Sequence, residues 1–147
     1  NMKIVVDTRE QKPLFHKGQI VSKALKTGDY SIEGYEDKIA IERKSVMDLF
    51  GTLTSGHARF KKEIARGLKM DYFAILVVGS YTDIIQGIFS GHQHTKANPA
   101  TMLKILFTIH MKYGVPIFFA NSKAEARLIV KELLSSYIRK TKQLNTN

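Results

Sequence analysis

The sequence contains no cysteine. Disulfides, thiolate zinc sites, iron–sulfur clusters and cysteine nucleophiles are therefore excluded. A reducing, intracellular setting is expected, whether cytoplasm, nucleoid or nucleus. Acids are also scarce: 13 Asp and Glu stand against 23 Lys and Arg, for a formal charge of +10 over 147 residues. No apolar run approaches the roughly 20 residues that a membrane helix needs. Met2-Lys3-Ile4-Val5-Val6 meets Asp7 at once, which is no secretory signal, so neither export nor a membrane role is expected. Asn1 before Met2 reads as a cloning remnant. There is no internal repeat and no low-complexity tract. With 44% hydrophobic and 24% charged residues, wholesale disorder, collagen and a coiled-coil rod are excluded. The length suits a single domain over residues 1–147.

The pI near 9.8 points to a polyanionic partner, because each phosphate neutralised by a lysine or arginine releases a counterion. A merely basic, soluble surface is the competing explanation, and charge alone puts nucleic acid only slightly ahead.

Hydrophobic patterning gives alternating strands and helices. Ile4-Val5-Val6 reads as a short buried strand that ends at Asp7. Gln19 to Lys26, Tyr30-Ser31-Ile32 and Ile39 to Lys44 read as further strands, separated by turns at Gly28-Asp29 and Gly34 to Asp37. Ser45 is a candidate N-cap for a helix through Val46, Leu49 and Phe50. Phe60, Ile64 and Leu68 give the next helix, Ala58 to Lys69, an apolar stripe. Phe73 to Val78 is a continuous apolar run suited to a strand covered on both faces. Pro99 to Tyr113 reads as a core helix, Val115 to Ala120 as a strand, and Ser122 as the cap of a last helix. The polar, basic residues 140–147 are expected to fray. The pattern predicts an α/β domain with a mixed sheet.

The chemistry-bearing stretch is Gly28-Asp29, then Glu42-Arg43-Lys44, then Asp48. On a strand Glu42 and Lys44 share one face, while Ile39, Ile41 and Arg43 share the other. Asp29 enters a neighbouring strand and Asp7 leaves another, so these acids can converge at one end of a sheet. Clustered carboxylates raise one another's pKa unless a cation sits among them. Mg²⁺ takes one or two carboxylates and keeps waters, and it activates water against phosphodiesters. Lys44 can then orient that water and neutralise developing charge. The spacing by itself is weak, and surface ion pairs among Glu42, Lys44 and Asp48 explain it more simply.

Three motifs in order narrow the choice: Val6-Asp7-Thr8-Arg9-Glu10, Thr27-Gly28-Asp29-Tyr30 and Ile41-Glu42-Arg43-Lys44-Ser45-Val46-Met47-Asp48-Leu49. Together they resemble the nuclease domain of the XPF-type structure-specific endonucleases, which include the archaeal Hef nucleases. That family's signature is Gly-Asp-x(n)-Glu-Arg-Lys-x-x-x-Asp. The likeness continues through Leu53 to Phe60, Tyr72 to Gly79, Asn98-Pro99 and Tyr113 to Ile117. It implies a restriction-endonuclease-like fold of the PD-(D/E)XK type, a mixed central sheet flanked by helices. It also implies Mg²⁺-dependent cleavage of branched DNA such as flaps, forks and junctions, with Mn²⁺ able to substitute.

By the same resemblance Asp29 and Glu42 would bind metal, Lys44 would act at the water, and Asp7 would be a further acid at the metal. Arg9, Glu10, Arg43 and Asp48 would support the site or contact phosphate. The chain carries Gly56-His57 where the family has Gly-Arg, with Arg59 two residues later, so either His57 or Arg59 could contact DNA. No helix-hairpin-helix motif follows within the sequence. The family's pairing through its closing helices implies a homodimer through Pro99 to Tyr137.

Arg59, Lys62, Arg66 and Lys69 fall on one helical face and suggest a stripe that tracks phosphates, or else an ordinary solvated face. Gly91-His92-Gln93-His94 lacks a nearby third ligand and reads as a loop rather than a metal site. Two other readings compete with the nuclease. One is a catalytically silent DNA-binding module that positions a partner nuclease, although the acids that inactive members usually lose are present. The other is a sequence-specific restriction enzyme, for which no base-reading domain is visible.

Overall fold

The structure, a computed structural model, describes residues 2–53, 55–87 and 98–146. Six strands are β1 (Ile4–Asp7), β2 (Ile20–Lys23), β3 (Tyr30–Ile32), β4 (Ile39–Ser45), β5 (Tyr72–Val78) and β6 (Ile117–Ala120). They form one mixed sheet in the order β2-β1-β3-β4-β5-β6. β3 runs antiparallel to β1 and β4, while the β1–β2, β4–β5 and β5–β6 pairs are parallel. The β4–β5 ladder extends from Ile39 opposite Tyr72 to Ser45 opposite Val78.

Helices α1 (Val46–Leu53), α2 (His57–Gly67), α3 (Tyr81–Gln86) and α4 (Pro99–Tyr113) pack on one face of the sheet, and α5 (Lys123–Thr146) packs on the other. Alternation along β5 accounts for both layers. Phe73, Ile75 and Val77 join Leu49, Phe60, Ile64 and Leu106 in one core. Leu76 joins Ile39, Ile41, Ala126, Val130 and Leu134 in the other. Burial on both faces is why this strand reads as an unbroken apolar run. The Ala126, Val130, Leu134 spacing sets one stripe of α5 onto the sheet.

The helix starts follow their sequence signals. The Ser45 hydroxyl accepts from the Asp48 N–H at 3.0 Å. The Asn98 side chain accepts from Ala100 N–H at 2.8 Å, with Pro99 in the first turn. The Ser122 hydroxyl accepts from Glu125 N–H at 3.1 Å.

Four features differ from the sequence reading. β2 is shorter than Gln19 to Lys26, because a 3-10 turn occupies Lys17–Gln19. α3 was not foreseen, although Ser80 and Asp83 form a reciprocal capping box that announces it. α4 is not a fully enclosed core helix: Met102, Leu106 and Ile109 are buried, but Phe107 is 42% and Met111 81% exposed. α5 continues through residues 140–146 where fraying was expected. The last anchored turn before that stretch is at Tyr137, whose hydroxyl donates to Asp71 Oδ2 at 2.8 Å and whose ring meets Tyr35 edge-on. The Gly91 to His94 reading lies outside the described residues.

α2 approaches β5 so closely that a Cβ at Gly67 would fall 2.4 Å from the Phe73 ring. Gly67→Ala is expected to destabilise the fold by about 1–3 kcal/mol. Gly51→Ala, in α1 with open space around it, is expected instead to gain about 0.5–1 kcal/mol from reduced chain entropy. Urea unfolding of both variants checks this, and equal midpoints would contradict the close packing of α2 on β5.

Candidate functional site

The site assembles where β1 and β4 end and β3 begins. Gly28 adopts φ +78°, and a Cβ there would sit 2.8 Å from the Ala40 Cβ. Only glycine lets the turn press against β4 in this way. Asp29 is thereby stitched between two strands. Its N–H donates to Ile41 C=O at 2.9 Å, and its C=O accepts from Asp7 N–H at 2.9 Å. Its Oδ2 accepts from the Arg43 N–H at 2.8 Å. Burial raises the Asp29 carboxyl above its ordinary value; the Arg43 N–H and the Lys44 charge oppose the rise, and the Asp7 charge adds to it.

Glu42 is 7% exposed, and among the described residues no donor meets its carboxylate. Lys44, two residues on along the same face, places its ammonium 5.8 Å from the Phe60 ring centroid. Arg43 turns the other way. Its guanidinium lies 3.5 Å from Glu10 and donates to Lys12 C=O. Glu10 Oε2 is buried without a hydrogen-bond partner among the described residues. Burial, and then the Asp29 charge, push the Glu10 carboxyl up.

Asp7 is buried, and its carboxylate is already engaged. Oδ1 accepts from Leu25 N–H at 2.8 Å and from Arg9 Nη2 at 3.2 Å, and Oδ2 accepts from Arg9 Nε at 2.8 Å. Burial alone would raise its pKa, but Arg9 and the Leu25 N–H outweigh that and hold it below the usual range. Arg9 is otherwise exposed and donates also to Leu25 C=O at 2.7 Å.

Asp48 stands apart from this group, exposed in the first turn of α1. It borders a cleft of about 440 Å³ lined also by Lys44, Gly51, Arg59, Phe60 and Glu63. Sequence patterning leaves Glu63 only as an acid of α2 outside the face of Arg59, Lys62, Arg66 and Lys69. It is half-buried, and burial followed by the Asp29 charge pushes it up to about 7. Its place one turn after Phe60, beside Ile64, was the available signal that it faces inward.

The ERCC4 domain family model matches residues 6–133. The chain belongs to the ERCC4 domain family. XPF from Aeropyrum pernix is structurally similar, with 21% identity and a TM-score of 0.71 over 92% of this chain and 61% of that one. A structure of the same XPF in complex with DNA matches at 21% identity and TM-score 0.71 over 95% and 66%. The chain thus spans roughly three-fifths to two-thirds of those chains. No curated protein matches it. The restriction-endonuclease-like fold expected from the motifs is the fold observed.

In this ERCC4 domain the cations of α2 divide by position. His57, Arg59, Lys62, Arg66 and Lys69 are all exposed. Arg59 borders the Lys44 cleft, whereas His57 does not line it. Lys69 lies just beyond the helix end at Gly67. Among the described residues no helix is long and apolar enough to cross a membrane.

The hard carboxylate oxygens of Asp29 and Glu42 fit a divalent ion, since Glu42 is buried without a donor and Asp29 has one main-chain donor. Among the described residues no three acidic or histidine side chains gather closely enough to hold a metal unaided. Mg²⁺ uses one or two carboxylates and completes its shell with water and phosphate, so Asp29 and Glu42 would be the residues to hold it.

Asp7→Asn is expected to destabilise the chelator-treated domain by about 1–3 kcal/mol at neutral pH, because Leu25 and Arg9 lose an anionic acceptor. A depressed folded-state pKa contributes stability above the unfolded value and loses it as pH falls through the folded one. The gap to wild type should therefore close below the ordinary aspartate range. Urea titrations across pH measure it, and a gap that is constant with pH would contradict the anionic role.

Proposed function

We propose that this ERCC4 domain is a metal-dependent endonuclease that hydrolyses phosphodiester bonds in branched DNA, such as flaps, forks and junctions, in repair or recombination. The observation that carries this reading is the placement of Asp29, Glu42 and Lys44 together at one end of the sheet, beside a cleft walled by the cationic helix α2. The fold shared with an XPF described in complex with DNA supports DNA as the partner.

Asp29 and Glu42 would hold Mg²⁺, or Mn²⁺ in its place. Such an ion, when bound, polarises a phosphoryl oxygen and lowers the pKa of water. Arg43 fixes the Asp29 carboxylate through its main-chain N–H, while its side chain locks the Glu10 loop. Lys44 orients a water and neutralises charge that develops on the phosphate. Asp7 adds negative charge near Asp29 while it anchors Arg9, and exposed Arg9 offers phosphate a contact. Asp48 and Arg59 border the approach to Lys44. Lys62, Arg66 and Lys69 follow the DNA backbone along α2, and Arg59 is favoured over His57 because it lines the cleft.

Asp29→Asn and Glu42→Gln are each expected to lower Mg²⁺-dependent cleavage of labelled flap and fork DNA by about 10²–10³-fold or more, with circular dichroism unchanged and EDTA abolishing wild-type cutting. Full activity in both variants would refute the site. Binding by the wild type without cutting would favour the silent DNA-binding module.

We also propose that the domain pairs with a second copy through Pro99 to Tyr137. α5 has its apolar stripe on the sheet, so α4 and the edge strand β6 carry the contact. Phe107 and Met111 are exposed there, and Tyr81 stacks on Phe119 at 4.1 Å and meets Phe107 at 6.3 Å. An exposed apolar cluster beside a sheet edge is the usual mark of an interface. Light scattering at micromolar concentration should give a dimer that Phe107→Asp with Met111→Asp converts to a folded monomer; a monomeric wild type would refute pairing.

A further inference from the structure

α2 carries one acid among its cations, and the fold gives that acid specific neighbours. Phe60 and Ile64 point into the core, and Glu63 flanks them on the wall of the cleft shared with Lys44, Asp48 and Arg59. The Lys44 ammonium over the Phe60 ring sets the end of β4 against this same turn of α2. The charges of Asp29, Arg66 and Arg9 all reach Glu63, the first opposing its ionisation and the two cations favouring it. Among the described residues no hydrogen bond or ion pair meets its half-buried carboxylate.

A second observation is independent of α2. Glu42 lies on the Lys44 face of β4, is more than nine-tenths buried, and has no donor among the described residues. Asp29 and Glu42 thus lie at one end of the sheet, the Asp29 charge reaches Glu63, and Glu42 and Glu63 have no hydrogen-bond donor among the described residues. Buried like charges disfavour one another, and a shared cation removes that cost.

We infer that Glu63 is the third acid of the divalent-cation site, a positioning residue that holds the ion from the α2 side through its hydration shell. This rests on the endonuclease reading of Asp29 and Glu42. Contact through water follows from two facts. No three such side chains among the described residues lie close enough to bind an ion directly, and Mg²⁺ keeps several of its waters in protein sites. A carboxylate that accepts from such water orients it and strengthens binding.

The test is Mn²⁺ binding to the full chain without DNA, measured by isothermal titration calorimetry for wild type, Glu63→Gln and Glu42→Gln. Glu63→Gln is expected to weaken binding about 10–100-fold. In chelator the same variant should unfold about 2–4 °C higher, because a like-charge contact has gone. Unchanged affinity in Glu63→Gln, with binding lost in Glu42→Gln, overturns the inference and leaves the endonuclease reading standing. Weakened binding with a lower unfolding temperature in chelator also overturns it, since Glu63 would then serve the fold. A wild type that binds no Mn²⁺ overturns both readings.

Discussion

The arrangement depends on the Gly28-Asp29 turn pinned between β1 and β4. Asp29 gives its N–H to Ile41 and its C=O to Asp7, and takes the Arg43 N–H on its side chain. One residue thus joins three segments far apart in sequence and sets the height at which β3 enters the sheet. The Arg43 N–H that holds Asp29 lies between Glu42 and Lys44 on the same strand, so any shift of β4 moves the carboxylates and the ammonium together. The glycine before it is required by a positive φ and by the nearness of Ala40.

Electrostatics then separates the acids into different roles. Asp7 lies low, saturated by Arg9 and Leu25, and acts as an anchor for the strand end. Glu10 is tied to Arg43 on the far face of β4. Asp29 is raised by burial and by Asp7, and Glu42 is buried without a donor among the described residues. Burial with too few donors is costly for a carboxylate, and that imbalance sets Asp29 and Glu42 apart from a set of surface ion pairs. The surrounding surplus of positive charge, on the exposed face of α2 above all, suits a polyanion brought to those acids.

The two layers of helices divide the labour. α5 fills the back of the sheet, whereas α1 and α2 wall the cleft beside Lys44. α3, α4 and the edge strand β6 expose aromatic and aliphatic surface away from that cleft. A basic end that carries the buried acids and an apolar side are therefore separate surfaces of one small domain.

Much of this was legible from local sequence. Period-two and continuous apolar runs marked the strands, and Ser45, Pro99 and Ser122 marked helix starts, because those signals depend on neighbouring residues alone. The nearness of Asp29 to the Glu42–Lys44 strand was legible because one lies at the start of β3 and the other towards the end of β4, ends that antiparallel pairing brings together. What sequence could not show were facts set by contacts across the fold. Asp7 proved to be engaged by Arg9 and by Leu25, 18 residues away. Glu63 is half-buried on the wall of the Lys44 cleft, although spacing along α2 shows only that it lies outside the cationic face. α5 runs on into its polar tail, and its preceding turn is anchored where Tyr137 reaches Asp71 across 66 residues. Sequence determined the elements, the fold class and the candidate acids, since spacing and side-chain type encode them locally. Tertiary structure alone decided which carboxylates are already paired and which still lack a donor, because pairing depends on groups that meet only when distant strands and helices pack.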